Sequence, residues 1–196
     1  MRQHRVGQAA IPRRCRTTRT GTRGWLRFLS PIRGLRITTH FVSNAANAPA
    51  VSGAYLLLVT LPNAERVVLP GRSALTLSAG RFLYAGSARG PGGLRARLAR
   101  HQRTGKSLHW HIDRLTAAGT MQGAWIVPGG DECAIIAALA HLPVPLPGFG
   151  STDCRRCASH LLAWPAGTGD VGEVLDASNL AGAAAPTALV LARPGC

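Results

Sequence analysis

The stretch Ser52–Leu61 reads SGAYLLLVTL, and its apolar residues fall on both alternating faces. A strand with one wet face alternates polar and apolar side chains, whereas this one suits a strand buried on both sides. Pro62-Asn63-Ala64-Glu65 reads as a turn, and Arg66–Leu69 as a return strand that would close a hairpin. Ser73–Ser78 is expected to be extended and irregular, and Arg81–Gly86 to form a third strand ahead of the breaker Gly90-Pro91-Gly92-Gly93.

Helical spacing begins at Leu94. Leu94, Leu98 and His101 recur at i, i+4 and i+7, which predicts a helix over Leu94–Gln102. A second helix is expected over Leu108–Ala117, with Leu108, Ile112 and Leu115 as its inward stripe. Met121–Val127 reads as a strand, and Asp131 as the cap of a helix running to about Leu142. Gly148–Cys157 reads as a loop, Ser159–Trp164 as a short strand, and Thr187–Leu191 as a further candidate strand. This order predicts a small mixed α/β (α+β) domain built on a mainly antiparallel sheet flanked by helices.

Charge divides the chain. Residues 1–50 carry ten arginines and no acid, while 51–196 carry thirteen bases and all eight acids. The expected organisation is a basic, disordered arm over 1–50 (or upstream sequence from an early start codon), a domain over 51–165 and a Gly/Ala-rich tail over 166–196. No apolar run is long enough to span a bilayer, so no membrane partner is expected, although the basic arm could attract nucleic acid or anionic lipid electrostatically. No secretory h-region follows the arginines, which makes a reducing, cytoplasmic setting the default for the five cysteines.

Several polar side chains stand at inward positions. Arg97 flanks the apolar face of its helix and calls for an anionic partner, either a core carboxylate or a substrate phosphate. Arg95 and Arg100 point away from that face, towards water. His111 lies on the stripe side of its helix, as a core histidine or a functional one, close to His101, His109 and Trp110. Glu132 sits in a first helical turn, where it favours the helix dipole or aims a carboxylate at a divalent cation. Cys154, Cys157 and His160 have the spacing of zinc ligands, but the fourth ligand would have to be His111, His109 or Cys133, and plain buried thiols are the simpler reading.

Gly53-Ala54-Tyr55, then Tyr84-Ala85-Gly86 some thirty residues on, then Gly93-Leu94-Arg95-Ala96-Arg97-Leu98 resemble the GIY-YIG nuclease superfamily in order and spacing. The stretches His109-Trp110-His111-Ile112-Asp113 and Gly148–Cys154 point to the branch catalogued as a domain of unknown function, DUF 123, over about Ser52–Trp164. The resemblance implies a three-stranded antiparallel sheet flanked by helices and metal-dependent hydrolysis of DNA phosphodiesters, in repair or processing. The site then expected comprises Tyr55, Tyr84, Arg97, His101 and His111 as catalytic residues and Glu132 as the ligand of Mg²⁺ or Mn²⁺. Gly86, Ser87, Arg95, Arg100, Ser151 and Asp153 would contact the DNA. Ser87 stands where a lysine often follows the second triplet, and the asparagine of many members has no clear counterpart. A catalytically inactive nucleic-acid-binding module of the same fold is therefore the alternative, and a zinc-stabilised interaction domain a third reading.

Overall fold

A computed structural model describes residues 40–69, 71 and 73–173. The arm up to residue 39, the tail beyond 173 and the strand expected at Thr187–Leu191 lie outside the described residues.

The centre is a five-stranded, wholly antiparallel sheet. It comprises β1 (His40–Val42), β2 (Gly53–Leu61), β5 (Gly80–Ala88), β6 (Thr120–Pro128) and β7 (Leu161–Trp164), in the order β1-β6-β2-β5-β7. β2 is the middle strand and is covered on both faces, as its sequence demands. Tyr55, Leu57, Val59 and Leu61 join one core, while Ala54, Leu56 and Leu58 join the other. Each fully buried leucine there contributes roughly 1.5–3 kcal/mol over an exposed one.

The first core lies under α1 (Gly93–Gln102) and α2 (His111–Ala118), the second under α3 (Glu132–Ala138). Leu94, Leu98 and His101 are the buried face of α1, in agreement with their period. The architecture is the mixed α/β one expected.

The sheet has five strands where three were expected. Two short strands widen it: β1, which the local reading did not expect, borders β6, and β7, within the strand expected at Ser159–Trp164, borders β5. β1 and a 3-10 turn at Ala45–Asn47 fall inside the segment assigned to the arm, so the ordered fold reaches back at least to His40. The expected hairpin between Ser52–Leu61 and Arg66–Leu69 does not form. β3 (Glu65–Val67) pairs with β4 (Leu75–Leu77) in a separate two-stranded sheet, because both edges of β2 are taken by β5 and β6.

α2 begins at His111, not Leu108. Trp110 is extended at the N-cap, and Leu108 is 49% exposed, so it leaves the predicted stripe. α3 ends at Ala138, short of the expected Leu142.

Candidate functional site

Register places the two phenols. On β2 and β5, Tyr55 lies opposite Gly86 and Leu57 opposite Tyr84. Tyr55 and Tyr84 therefore share one face of the sheet, one diagonal step apart. Glycine is needed opposite Tyr55, because a Cβ on Gly86 would sit 2.4 Å from the Tyr55 hydroxyl. Gly150 does the same for Tyr84. A Cβ there would lie 2.6 Å from its ring, and the φ of +69° favours glycine as well.

A cleft of about 500 Å³ opens over these rings. Tyr55, Tyr84, Gly86, Ser87, Arg97, His101, His111, Glu132 and Asp153 all line it. They come from β2, β5, α1, α2, α3 and the loop after Gly150. His109, Trp110, Ile112, Gly150, Thr152 and His160, which carried no role in the sequence reading of the cleft, complete the wall.

Three expected contact residues are not in the lining. Arg95 Nε donates to the Ala48 carbonyl at 2.8 Å and ties α1 to the N-terminal turn. Arg100, expected to face water, donates to Asp113 Oδ2 at 2.9 Å. Ser151 is buried, and its carbonyl accepts from the Cys154 N–H in a turn.

Asp113 braces the entry to α2. Its side chain is fully buried, and Oδ2 also accepts the N–H groups of His109 and Trp110 at 2.9 Å. Burial works to raise its pKa, but these two backbone donors, with Arg100, hold it below the usual carboxylate range. An acid three residues after an N-cap is the signal that could have found it. The brace presents Trp110, over whose ring Arg97 and Arg100 stack at 4.2 and 4.1 Å. Among the described residues no carboxylate pairs with Arg97.

Tyr55 Oη lies 2.8 Å from His101 Nε2 in the buried floor. Burial pushes the His101 imidazole down to about 3, with Lys106 adding to the effect, so the ring is neutral. Burial also raises both phenols, Tyr55 well above its ordinary value and Tyr84 to about 12, with Arg97 opposing the rise. Both tyrosines are therefore protonated at neutral pH. His111 Nδ1 accepts the Gly150 N–H at 3.0 Å, which in the neutral ring leaves the proton on Nε2. Burial and then Arg114 lower its pKa.

Glu132 Oε2 is buried and accepts no hydrogen bond from the described residues. Among the described residues Arg89 pairs with this oxygen at 3.6 Å, and its side chain is 66% exposed. A buried carboxylate oxygen without a donor, in a polar cleft, fits a hard divalent cation that keeps most of its waters.

Beside this wall, one ligand atom from each of Cys133, Cys154, Cys157 and His160 lies within 4.8 Å of the others, a set able to hold a metal ion. Among the described residues, no helix is long and apolar enough to cross a membrane.

Comparison with curated proteins and with solved structures returned no match. The family model described as "Domain of unknown function DUF123" matches residues 54–181, a span that runs from β2 through every residue of the cleft and of the cysteine–histidine cluster. The chain belongs to that family.

Proposed function

We propose that this chain is a metal-dependent endonuclease of the GIY-YIG type, hydrolysing DNA phosphodiester bonds in repair or processing. The observation that carries the reading is convergence. Tyr55, Tyr84, Arg97 and Glu132, spread over four elements, line one cleft, with Arg97 lacking a carboxylate and Glu132 lacking a donor.

Each residue then has a chemical task. Arg97, held flat on Trp110, meets the phosphate and offsets charge gathering on its oxygens. Gly86 makes room for the Tyr55 phenol and, with Ser87 and Asp153, lines the cleft along which the strand would run. Glu132 would hold Mg²⁺ or Mn²⁺, which when bound polarises the phosphate and stabilises the leaving oxygen. The Tyr55 oxygen takes a proton from the attacking water while its own proton passes to His101 Nε2, 2.8 Å away. A base of pKa about 3 cannot keep that proton unaided at neutral pH, so negative phosphate oxygens must raise it during the reaction.

The test incubates the full chain with supercoiled, nicked and branched DNA and Mg²⁺ or Mn²⁺. Metal-dependent cleavage is expected, with losses of about hundredfold or more in Arg97→Ala and Glu132→Gln. Cleavage unchanged in both variants would sink the reading. A second reading is a module that binds DNA without cutting it, favoured by the two strongly protonated phenols. It predicts salt-sensitive DNA binding with no nicking at any metal concentration.

A further inference from the structure

Cys133, Cys154 and Cys157 take no part in the cleavage scheme, yet the fold gathers their sulfurs around the His160 imidazole. One lies in the first turn of α3, two in the loop after Gly150, and His160 immediately precedes β7. Cys133 Sγ is 3.4 Å from Cys154 Sγ and 3.8 Å from His160 Nε2. A disulfide would bring two sulfurs to about 2.05 Å. Zinc bonds of about 2.3 Å to sulfur and about 2.0 Å to nitrogen, arranged tetrahedrally, put neighbouring ligand atoms about 3.5–3.8 Å apart. Both spacings lie within about 0.4 Å of the second arrangement and well away from the first.

Two further features agree. The Arg156 N–H donates to Cys154 Sγ at 3.4 Å, from within the Cys154-x-x-Cys157 turn, a bond that a thiolate accepts better than a thiol. Arg156 also pairs with Asp131, the N-cap of α3, so a cation already borders the cluster. Three thiolates and a neutral imidazole around Zn²⁺ leave one negative charge, which Arg156 can offset.

We propose that Cys133, Cys154, Cys157 and His160 form a closed zinc site. With all four positions filled by protein, the ion has no place for substrate, and its role is structural. It clamps the first turn of α3 to the loop after Gly150. Glu132 precedes Cys133 and Asp153 precedes Cys154, so the clamp holds two walls of the neighbouring cleft. The site goes beyond the cleavage proposal and stands whether or not the chain cuts DNA.

The experiment uses the full chain, purified without added metal. Elemental analysis should find one zinc per chain, and chelation should expose three more reactive thiols than the untreated protein shows. Cobalt(II) added to the stripped protein should give the intense visible bands and thiolate charge-transfer absorption of a tetrahedral site. Cys133→Ser and Cys157→Ser should each weaken cobalt binding at least tenfold, while His109→Ala retains it. A folded chain that carries no zinc and whose thiols all react before chelation overturns the proposal. So does a Cys133–Cys154 disulfide found in the non-reduced protein by mass, or an octahedral cobalt spectrum in the unsubstituted chain. None of these readings involves DNA, so failure here is separable from failure of the nuclease reading.

Discussion

Glu132 and Cys133 are consecutive residues in the first turn of α3, and they face opposite kinds of chemistry. Glu132 brings a hard oxygen to an open cleft, where it meets phenols, an arginine and imidazoles but no hydrogen-bond donor to its buried oxygen. Cys133 brings a soft sulfur to a cluster that closes on itself, with two more sulfurs and an imidazole in reach. In the cleft, Tyr55 pairs with His101 and His111 with the Gly150 N–H, while among the described residues Arg97 has no carboxylate and Glu132 Oε2 no hydrogen-bond donor. In the cluster, three sulfurs and an imidazole nitrogen lie within 4.8 Å of one another, a set able to hold a metal ion. On the two proposals together, one turn of helix would serve a binding surface and its anchor, and the position of Glu132 would depend on what holds Cys133.

That comparison is broken most directly by exchanging the two losses. Glu132→Gln should abolish metal-dependent DNA cleavage, by about hundredfold or more, while keeping one zinc per chain. Cys133→Ser should lose the zinc and, at free zinc a thousandfold above Kd, about 4 kcal/mol of stability, read from denaturant unfolding with and without chelator. If both variants lose both properties equally, the two regions are one unit.

The brace on the far side of the cleft gives the next effect. Asp113→Ala strands Arg100 and two backbone N–H groups, and should cost about 3 kcal/mol in chemical denaturation. It should also free Trp110, seen as a shift in its fluorescence, without changing zinc content.

Acidity sharpens the comparison from within the cleft floor. The folded His101 titrates near 3, whereas an unfolded histidine takes up its proton near 6.5. Between those values the unfolded chain binds more protons, so stability should be full above pH 6.5 and fall towards pH 3, by on the order of a few kcal/mol. The phenols act at the other end. Their raised pKa values make stability decline as pH rises above 10. Unfolding midpoints across pH, for wild type against His101→Phe, check the acid arm, which the variant should weaken, with His111 and Asp113, also depressed in the fold, supplying the remainder.

The smallest effect tests how alone Glu132 is. Arg89 is largely exposed and makes only long contacts with Asp131 and Glu132. Arg89→Ala should change stability by less than about 1 kcal/mol. A melting temperature lowered by more would mean that Arg89, and not the cleft, is the working partner of the acid.

What local sequence revealed follows from short-range physics. The two-faced apolar run of β2 requires cover on both sides, and the Leu94, Leu98, His101 period orients α1 so that Arg97 sits at its edge. Both features depend on residues a few positions apart. The role of Asp113 is not local, because its partner Arg100 is thirteen residues away on another helix. The hairpin expected after Leu61 failed for a similar reason: distant strands compete for the edges of β2, and β5 and β6 occupy both.

The sequence by itself determined a doubly buried central strand, the inward face of α1 and the residue types available for chemistry, since these rest on periodicity and side-chain character. Only the tertiary structure decided that β1 and β7 complete the sheet, that Gly86 and Gly150 make room for the phenols, and that Cys133 joins Cys154, Cys157 and His160. Those outcomes depend on pairings across tens of residues, where register and packing of the whole fold, and not local preference, bring side chains together.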